Sequence, residues 1–346
     1  MSTDREYRLP GDWKLQACVT PLSEVYDWSQ DFLGIPEAWR VNTGTAAGGV
    51  PIIVAVVDTG VDAHHPDLAG AVNDLADFTG SINGPTDVVG HGTWCCGCIG
   101  ARANEVGTRG VAYDCRILSA KVLGDNGSGS DRSIEQGLRW AYLKGARFFS
   151  LSLGGRGMGD RLRGLFREFA QEGRFCFAAA GNDGGATNEP AAWPDLCAVA
   201  ACGADGKLTK FSSFDEAVDI IAPGVEMLGP IPGGRWGKMS GTSMACPKAC
   251  GVGMLAYGKH ATAGQTDLAN IADMVAHLRK TARRNAADGR LYLLDPVALL
   301  RDEHPPIAPV PPQPQPPGGG FEYPIPGLGI SIRVPARAGD YVGVGA

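Results

Sequence analysis

The run Pro51-Ile52-Ile53-Val54-Ala55-Val56-Val57 leads directly into Asp58-Thr59-Gly60. A continuous, mostly β-branched run with no polar alternation reads as a parallel strand buried on both faces. Arg116–Val122, Phe148–Leu153, Phe175–Ala180, Ala198–Ala201 and Val218–Ala222 read the same way. Between them lie helix-like segments. Ser133–Leu143 carries Ile134, Leu138, Ala141 and Tyr142, and Leu162–Ala170 carries Leu162, Leu165, Phe166 and Phe169, both at helical spacing. Strands alternating with helices predict an α/β fold, a mostly parallel, doubly wound sheet with helices on both faces. Chemistry in such sheets gathers at the carboxyl ends of the strands. Asp58 and Asn182 both stand there in the sequence.

The chain of 346 residues is 44% hydrophobic, enough for a sizeable core in one large domain with appendages. A net charge of −6 argues against a nucleic-acid partner, which calls for a basic patch. The charged start, Met1-Ser2-Thr3-Asp4-Arg5-Glu6, is followed by no apolar run. The expectation is therefore no signal peptide, no membrane segment and a cytoplasmic protein. The ten cysteines are then expected as free, mostly buried thiols rather than disulfides. Cys95-x-x-Cys98 has no second pair with chelating histidines, so small residues on a packed helix are expected in place of a metal site.

Four segments are expected: a short N-terminal extension over 1–23, a catalytic domain over 24–303, a Pro/Gly-rich linker over 304–320 and a C-terminal extension over 321–346. In the last, Ile330, Ile332 and Val334 alternate with Ser331 and Arg333. A turn signal at Pro335–Gly339 and then Tyr341-Val342 suggest a short β-hairpin, expected to dock on its own domain or on another chain.

Three segments carry chemistry in the order Asp, His, Ser: Asp58-Thr59-Gly60, Gly90-His91-Gly92-Thr93 and Gly241-Thr242-Ser243-Met244-Ala245. A serine hydroxyl is a poor nucleophile near neutral pH and needs a base, which in turn needs an orienting carboxylate. The expected roles are nucleophile for Ser243, general base then acid for His91, and buried carboxylate for Asp58. Met244–Gly251 reads as a helix with Pro247 in its first turn, placing Ser243 at a helix N-terminus. Asn182, in the Gly-flanked Ala180-Gly181-Asn182-Asp183, is the expected oxyanion donor together with the Ser243 N–H.

Over roughly residues 24–300 the chain resembles the subtilisin (subtilase) family of serine peptidases. The matching blocks include Val54–Asp62, His65-Pro66-Asp67-Leu68, His91-Gly92-Thr93, Ser150–Gly155, Ala179-Ala180-Gly181-Asn182 and Gly241–Pro247. The resemblance implies a serine endopeptidase acting through an acyl-enzyme. A peptide or protein substrate would lie extended between Gly127-Ser128-Gly129 and Ser152-Leu153-Gly154, adding a strand. It also implies a structural Ca²⁺ held by the side chains of Asp67 and Asn104 and the carbonyls of Arg102, Val106 and Thr108, completed by Glu24. The short N-terminal extension resembles the intracellular branch, where an apolar-Pro element such as Leu9-Pro10 lies across the active site and inhibits it. Asp183, Asn188 and Glu189 would border the first substrate pocket, whose acidic walls would favour a basic residue before the cut.

The chain departs from the family pattern at Trp94 and Lys248, where histidine is usual. Cys95, beside His91, resembles a thiol-bearing subgroup. Alternatives remain open at this level. The acyl-enzyme of a peptide ligase or cyclase uses the same residues, and a non-catalytic peptide-binding pseudoprotease could retain them. A single Asp-Thr-Gly argues against an aspartic peptidase, and the Asp-His-Ser order against an α/β-hydrolase.

Overall fold

The computed structural model describes residues 21, 23–284 and 291–303 in full, and the backbone of 6–8, 17–19, 321–324 and 331–334. Contacts divide the chain into two units, Met1–Pro309 and Val310–Ala346. The elements of the first unit begin with β1 (Glu6–Arg8), β2 (Ala17–Val19), α1 (Trp28–Leu33), α2 (Ile35–Ala38), β3 (Ile53–Asp58) and β4 (Val72–Asp77). Next come α3 (His91–Gly100), β5 (Arg116–Lys121), β6 (Ser128–Ser130), α4 (Asp131–Leu143), β7 (Phe148–Leu151), α5 (Asp160–Gln171), β8 (Phe175–Ala179) and β9 (Cys197–Cys202). The unit continues with β10 (Ile220–Pro223), β11 (Met227–Ile231), β12 (Arg235–Met239), α6 (Thr242–Thr262), α7 (Ile271–Thr281), β13 (Arg283–Arg284), β14 (Tyr292–Leu293) and α8 (Pro296–Arg301).

Among the described residues, nine strands form one sheet in the order β13-β14-β10-β9-β8-β7-β3-β5-β4. Every pair from β14 to β4 is parallel, and only the edge pair β13–β14 is antiparallel. Both faces are covered, which is why the strands read as unbroken apolar runs. Val54 and Val56 point into a core shared with Trp94 and Ile99 of α3 and Met244, Ala249 and Leu255 of α6. Ala55 and Val57 point into a second core with Ile134 and Leu138 of α4 and Leu165, Phe166 and Phe169 of α5.

The helix α3, His91-Gly-Thr-Trp-Cys-Cys-Gly-Cys-Ile-Gly100, is a poor helix by propensity, since each glycine costs about 1 kcal/mol against alanine. All ten of its residues are buried. Burial at about 1.5–3 kcal/mol per large apolar side chain outweighs that penalty. Small residues are required for it: a Cβ on Gly97 would lie 2.1 Å from the ring of Pro230.

One expectation needs correction. α6 starts at Thr242, two residues before the predicted Met244, so Pro247 is an interior residue of the helix and not part of its first turn. In the second unit, β15 (Phe321–Pro324) pairs antiparallel with β16 (Ser331–Val334), Phe321 opposite Val334. This pairing joins 331–334 to a preceding segment, in which Phe321 and Tyr323 alternate with Glu322 in sequence; Tyr341-Val342, the expected partner, lies outside the described residues. Leu9-Pro10, the 304–320 linker and residues 335–346 lie outside the described residues. Among the described residues no helix is long and apolar enough to cross a membrane.

Candidate active site

From β3 the chain builds β4 and β5 on one side, then crosses to β7, β8, β9 and β10 on the other. The reversal puts a topological switch point at the carboxyl end of β3, where open α/β sheets bind ligands. Asp58 ends β3, Ser152 follows β7 and Asn182 follows β8. Asp58, His91 and Ser243 are all buried.

His91 opens α3, and its Nδ1 lies 2.8 Å from Asp58 Oδ1. The same carboxylate oxygen accepts the N–H of Thr59 at 2.7 Å. The loop that presents His91 is tied to the strand that presents Asp58 through Thr59 and Asp87. The Thr59 hydroxyl donates to Asp87 Oδ1 at 2.9 Å and accepts the Gly92 N–H at 2.9 Å. Asp87 also accepts the N–H groups of Val89 (3.0 Å), Gly90 (2.8 Å) and Thr93 (2.8 Å) and the Thr93 hydroxyl (2.7 Å). Burial raises its pKa against the pull of these donors. Gly92 is needed for the close approach: a Cβ there would lie 2.2 Å from the Gly60 carbonyl oxygen.

Ser243 sits in the first turn of α6 after Gly241, whose φ of 152° favours glycine. Asn182 Oδ1 accepts both the N–H and the hydroxyl of Thr242 at 2.9 Å, and the Thr242 hydroxyl accepts the Gly181 N–H at 3.1 Å. Fixing Oδ1 there turns the amide nitrogen toward Gly241, 3.1 Å from where a Cβ would stand. The Ser243 hydroxyl donates to the Ser152 carbonyl at 3.3 Å. In return the Ser243 carbonyl accepts the Ser152 hydroxyl at 2.8 Å and the Cys95 thiol at 3.8 Å. Cys95 Sγ is also 3.9 Å from His91 Nδ1, so it touches both halves of the site. Burial, then the charge of Asp58, push the Cys95 pKa well up, which keeps it a thiol and not a nucleophile.

The expected substrate strands flank this cluster. Ser128 and Gly129 lie on β6, after Gly127 at φ 75°, and β6 already pairs antiparallel with β1: Glu6 with Ser130, Tyr7 with Gly129, Arg8 with Ser128. A cleft of about 420 Å³ runs past β6, lined by Phe78, Thr79, Asp125 and Asn126 among others. On the other side, beyond Ser152 and Leu153, Gly154 packs against the Glu189 carbonyl, with a Cβ position only 3.0 Å away, and Gly155 bridges to Glu189. The Glu189 carboxylate accepts the Met158 N–H at 2.6 Å. Exposed Asp183 receives Asn188 Nδ2 at 3.3 Å. Both carboxylates are thus held by neutral N–H donors, which orient them and leave their charge in place.

The residues expected to hold calcium gather around the 102–109 loop. Asp67 is fully buried, and its Oδ2 accepts the N–H (2.8 Å) and hydroxyl (2.7 Å) of Thr108 and the Trp236 indole N–H (2.7 Å). Burial raises its pKa, opposed chiefly by Trp236 and Thr108. The Glu24 N–H donates to the Glu105 carbonyl at 2.9 Å, and its Oε1 meets Arg109 at 2.6 Å. Asn104 Nδ2 donates to the Pro66 carbonyl at 3.0 Å while its Oδ1 accepts the Val106 N–H at 3.2 Å, and the Arg102 N–H donates to the Asp67 carbonyl at 2.7 Å. Asp67 Oδ1 and Glu24 Oε2 are buried without a hydrogen-bond partner. Carboxylate oxygens are the hard donors that Ca²⁺ takes.

Sequence reasoning missed Asp87, Thr59 and the role of Thr242. Each is a small polar residue next to, or four before, a residue already singled out, and only the folded chain shows the donors they collect. Trp94 and Lys248 are both buried, with the Trp94 indole donating to the Gly237 carbonyl at 3.2 Å. The nine cysteines whose side chains are described are free and buried.

A sequence model of the subtilase family matches residues 49–294. The chain is 36% identical over 245 residues to thermitase of Thermoactinomyces vulgaris, covering 70% of this chain and 86% of that one. It is 33% identical over 280 residues to the major intracellular serine protease of Bacillus subtilis (strain 168), covering 76% and 86%. To M-protease of Shouchella clausii (strain KSM-K16) it is 35% identical over 265 residues, covering 76% of this chain and 66% of that one.

Proposed function

Given that this chain belongs to the subtilase family of serine endopeptidases, we propose that it hydrolyses peptide bonds through an acyl-enzyme on Ser243. The observation that carries this reading is the 2.8 Å contact of His91 Nδ1 with Asp58, at the strand ends that also carry Asn182 and Ser152, the residue to which Ser243 bonds from α6. Asp58 fixes the imidazole so that Nε2 takes the Ser243 proton as Oγ attacks the scissile carbonyl carbon. The tetrahedral oxyanion is met by the Asn182 amide and the Ser243 N–H at the amino end of α6. His91 then returns the proton to the leaving amine, and water, deprotonated by the same imidazole, releases the acid product.

The substrate lies as an extended strand between Gly127-Ser128-Gly129 and Ser152-Leu153-Gly154. The pairing of β1 with β6 supports an edge that accepts an antiparallel strand, and it gives residues 1–23 a way to compete with substrate. Ca²⁺ held by Asp67, Asn104, Glu24 and the carbonyls of Arg102, Val106 and Thr108 would fasten the 102–109 loop to the segment around Glu24.

The direct test is turnover of an unstructured peptide. Asp58→Asn lowers kcat about 10⁴-fold and Asn182→Ala about 10²–10³-fold, magnitudes carried over from serine peptidases that include subtilisin itself. Unchanged turnover in Asp58→Asn contradicts the mechanism. Removal of residues 1–20 raises the initial rate; an unchanged rate removes the inhibitory role.

A further inference from the structure

Away from the active site, three elements of the first unit bring two histidines and a carboxylate together. His260 lies in the last turn of α6, His277 on α7, and Asp302 caps α8. His260 Nε2 is 3.7 Å and His277 Nε2 3.6 Å from Asp302 Oδ1, and all three atoms lie within 4.8 Å of one another. The rings meet edge to face at 5.0 Å.

The spacing is the telling feature. His260 is only 3% exposed, yet its Nε2 has no hydrogen-bond partner, and neither does the buried Nε2 of His277. A histidine and a carboxylate free to bond directly close to about 2.8 Å. His260 does this with its other nitrogen, Nδ1 to Asp267 Oδ1 at 2.8 Å. On the Asp302 side each imidazole Nε2 instead stands from Oδ1 at a separation near the roughly 3.4 Å between ligand atoms of a tetrahedral ion with bonds of about 2.1 Å. The Asp267 carboxylate behind His260 fixes the tautomer with its lone pair on Nε2, the usual support of a metal-bound histidine. Asp302 holds a φ of 54°, uncommon outside glycine, and its side chain is half-exposed, open to an ion from solvent. Lys259 bonds the other oxygen, Oδ2, at 2.5 Å, leaving Oδ1 for the cluster.

We propose that His260, His277 and Asp302 form a binding site for a divalent transition-metal ion of the zinc class, with water completing the coordination. Two imidazoles and one carboxylate favour such an ion over Ca²⁺ or Mg²⁺, which take oxygen ligands. The ion would tie the ends of α6, α7 and α8 together. This site is separate from Asp58, His91 and Cys95, whose ligand atoms also lie within 4.8 Å of one another.

The test is a calorimetric titration of Zn²⁺ onto the full chain carrying Ser243→Ala to prevent self-digestion. About one equivalent is expected, with the affinity retained in Cys95→Ser. His277→Asn and Asp302→Asn each lower it at least tenfold, and Asp267→Asn about tenfold. Asn is tolerated at the positive φ of position 302 and leaves the fold in place. No uptake, uptake that survives both His277→Asn and Asp302→Asn, or uptake abolished by Cys95→Ser overturns the proposal.

Discussion

The carbonyl oxygen of Ser243 is released from its own helix by Pro247. In an α-helix it would accept the N–H four residues on, and that residue is the proline inside α6, which has none. The oxygen instead accepts the Ser152 hydroxyl at 2.8 Å and the Cys95 thiol at 3.8 Å. A helix-breaking residue thereby joins the backbone of Ser243 to the strand end expected to hold substrate. Interior proline costs a helix about 3 kcal/mol, so its presence here marks a gain elsewhere.

Pro247→Ala supplies the missing donor. The variant is expected to keep or raise its Tm while kcat falls several-fold and KM holds, because the restored helical bond competes with Ser152 for the Ser243 carbonyl. A fall in Tm with unchanged kcat would contradict this role.

Asp87 gathers five donors, from Thr59, Val89, Gly90 and twice from Thr93. Asp87→Ala strands them in the interior, and the expected loss is about 3 kcal/mol or more by urea unfolding. Because Thr59 and Thr93 stand next to Asp58 and two residues after His91, kcat should fall as well. A stability change below about 1 kcal/mol would show that the loop holds without it.

Asp219 sets a pH dependence of stability. Burial pushes its carboxyl up to about 6 from 3.8, against the N–H of Ala198 at 2.8 Å and the Arg279 guanidinium at 2.7 Å. A raised folded pKa means that the folded state binds the proton more tightly. Its contribution is therefore fully present below about pH 4 and is lost as pH rises through about 6, a change on the order of 3 kcal/mol. Asp219→Asn should flatten the urea midpoint between pH 4 and 7 relative to the parent chain. An unchanged slope would assign the dependence to other groups.

Removal of calcium should lower the Tm. An ion present at a hundred times its dissociation constant contributes about 2.7 kcal/mol, or about 4–5 °C for a domain of this size. Asp67→Asn should remove the difference between chelated and calcium-supplemented samples. A Tm indifferent to chelation would contradict calcium binding at the 102–109 loop.

The sheet was legible because parallel strands buried on both faces leave unbroken runs such as Ile52–Val57, and helices α4 and α5 because one face carries their apolar residues. The start of α6 was not, since Gly241 and Thr242 owe their conformation to Asn182, sixty residues away in sequence. The pairing of Phe321–Pro324 with Ser331–Val334 was not legible, because Phe321 follows a glycine run that reads as linker. Asp58, His91 and Ser243 stand out through their glycine and hydroxyl neighbours. The Asp87 network does not, as its donors are mostly backbone N–H groups, which sequence does not distinguish. The His260–His277–Asp302 cluster has no motif at all, because its members meet only when α6, α7 and α8 pack.

The central claim is that Ser243 is a nucleophile activated by His91 and Asp58. A fluorophosphonate probe followed by peptide mass spectrometry tests it most directly. The expected result is a single adduct on Ser243 in the parent chain, absent in Ser243→Ala and formed far more slowly in Asp58→Asn. An adduct that persists in Ser243→Ala, or a parent chain that cleaves peptide yet takes up no probe, would contradict the account.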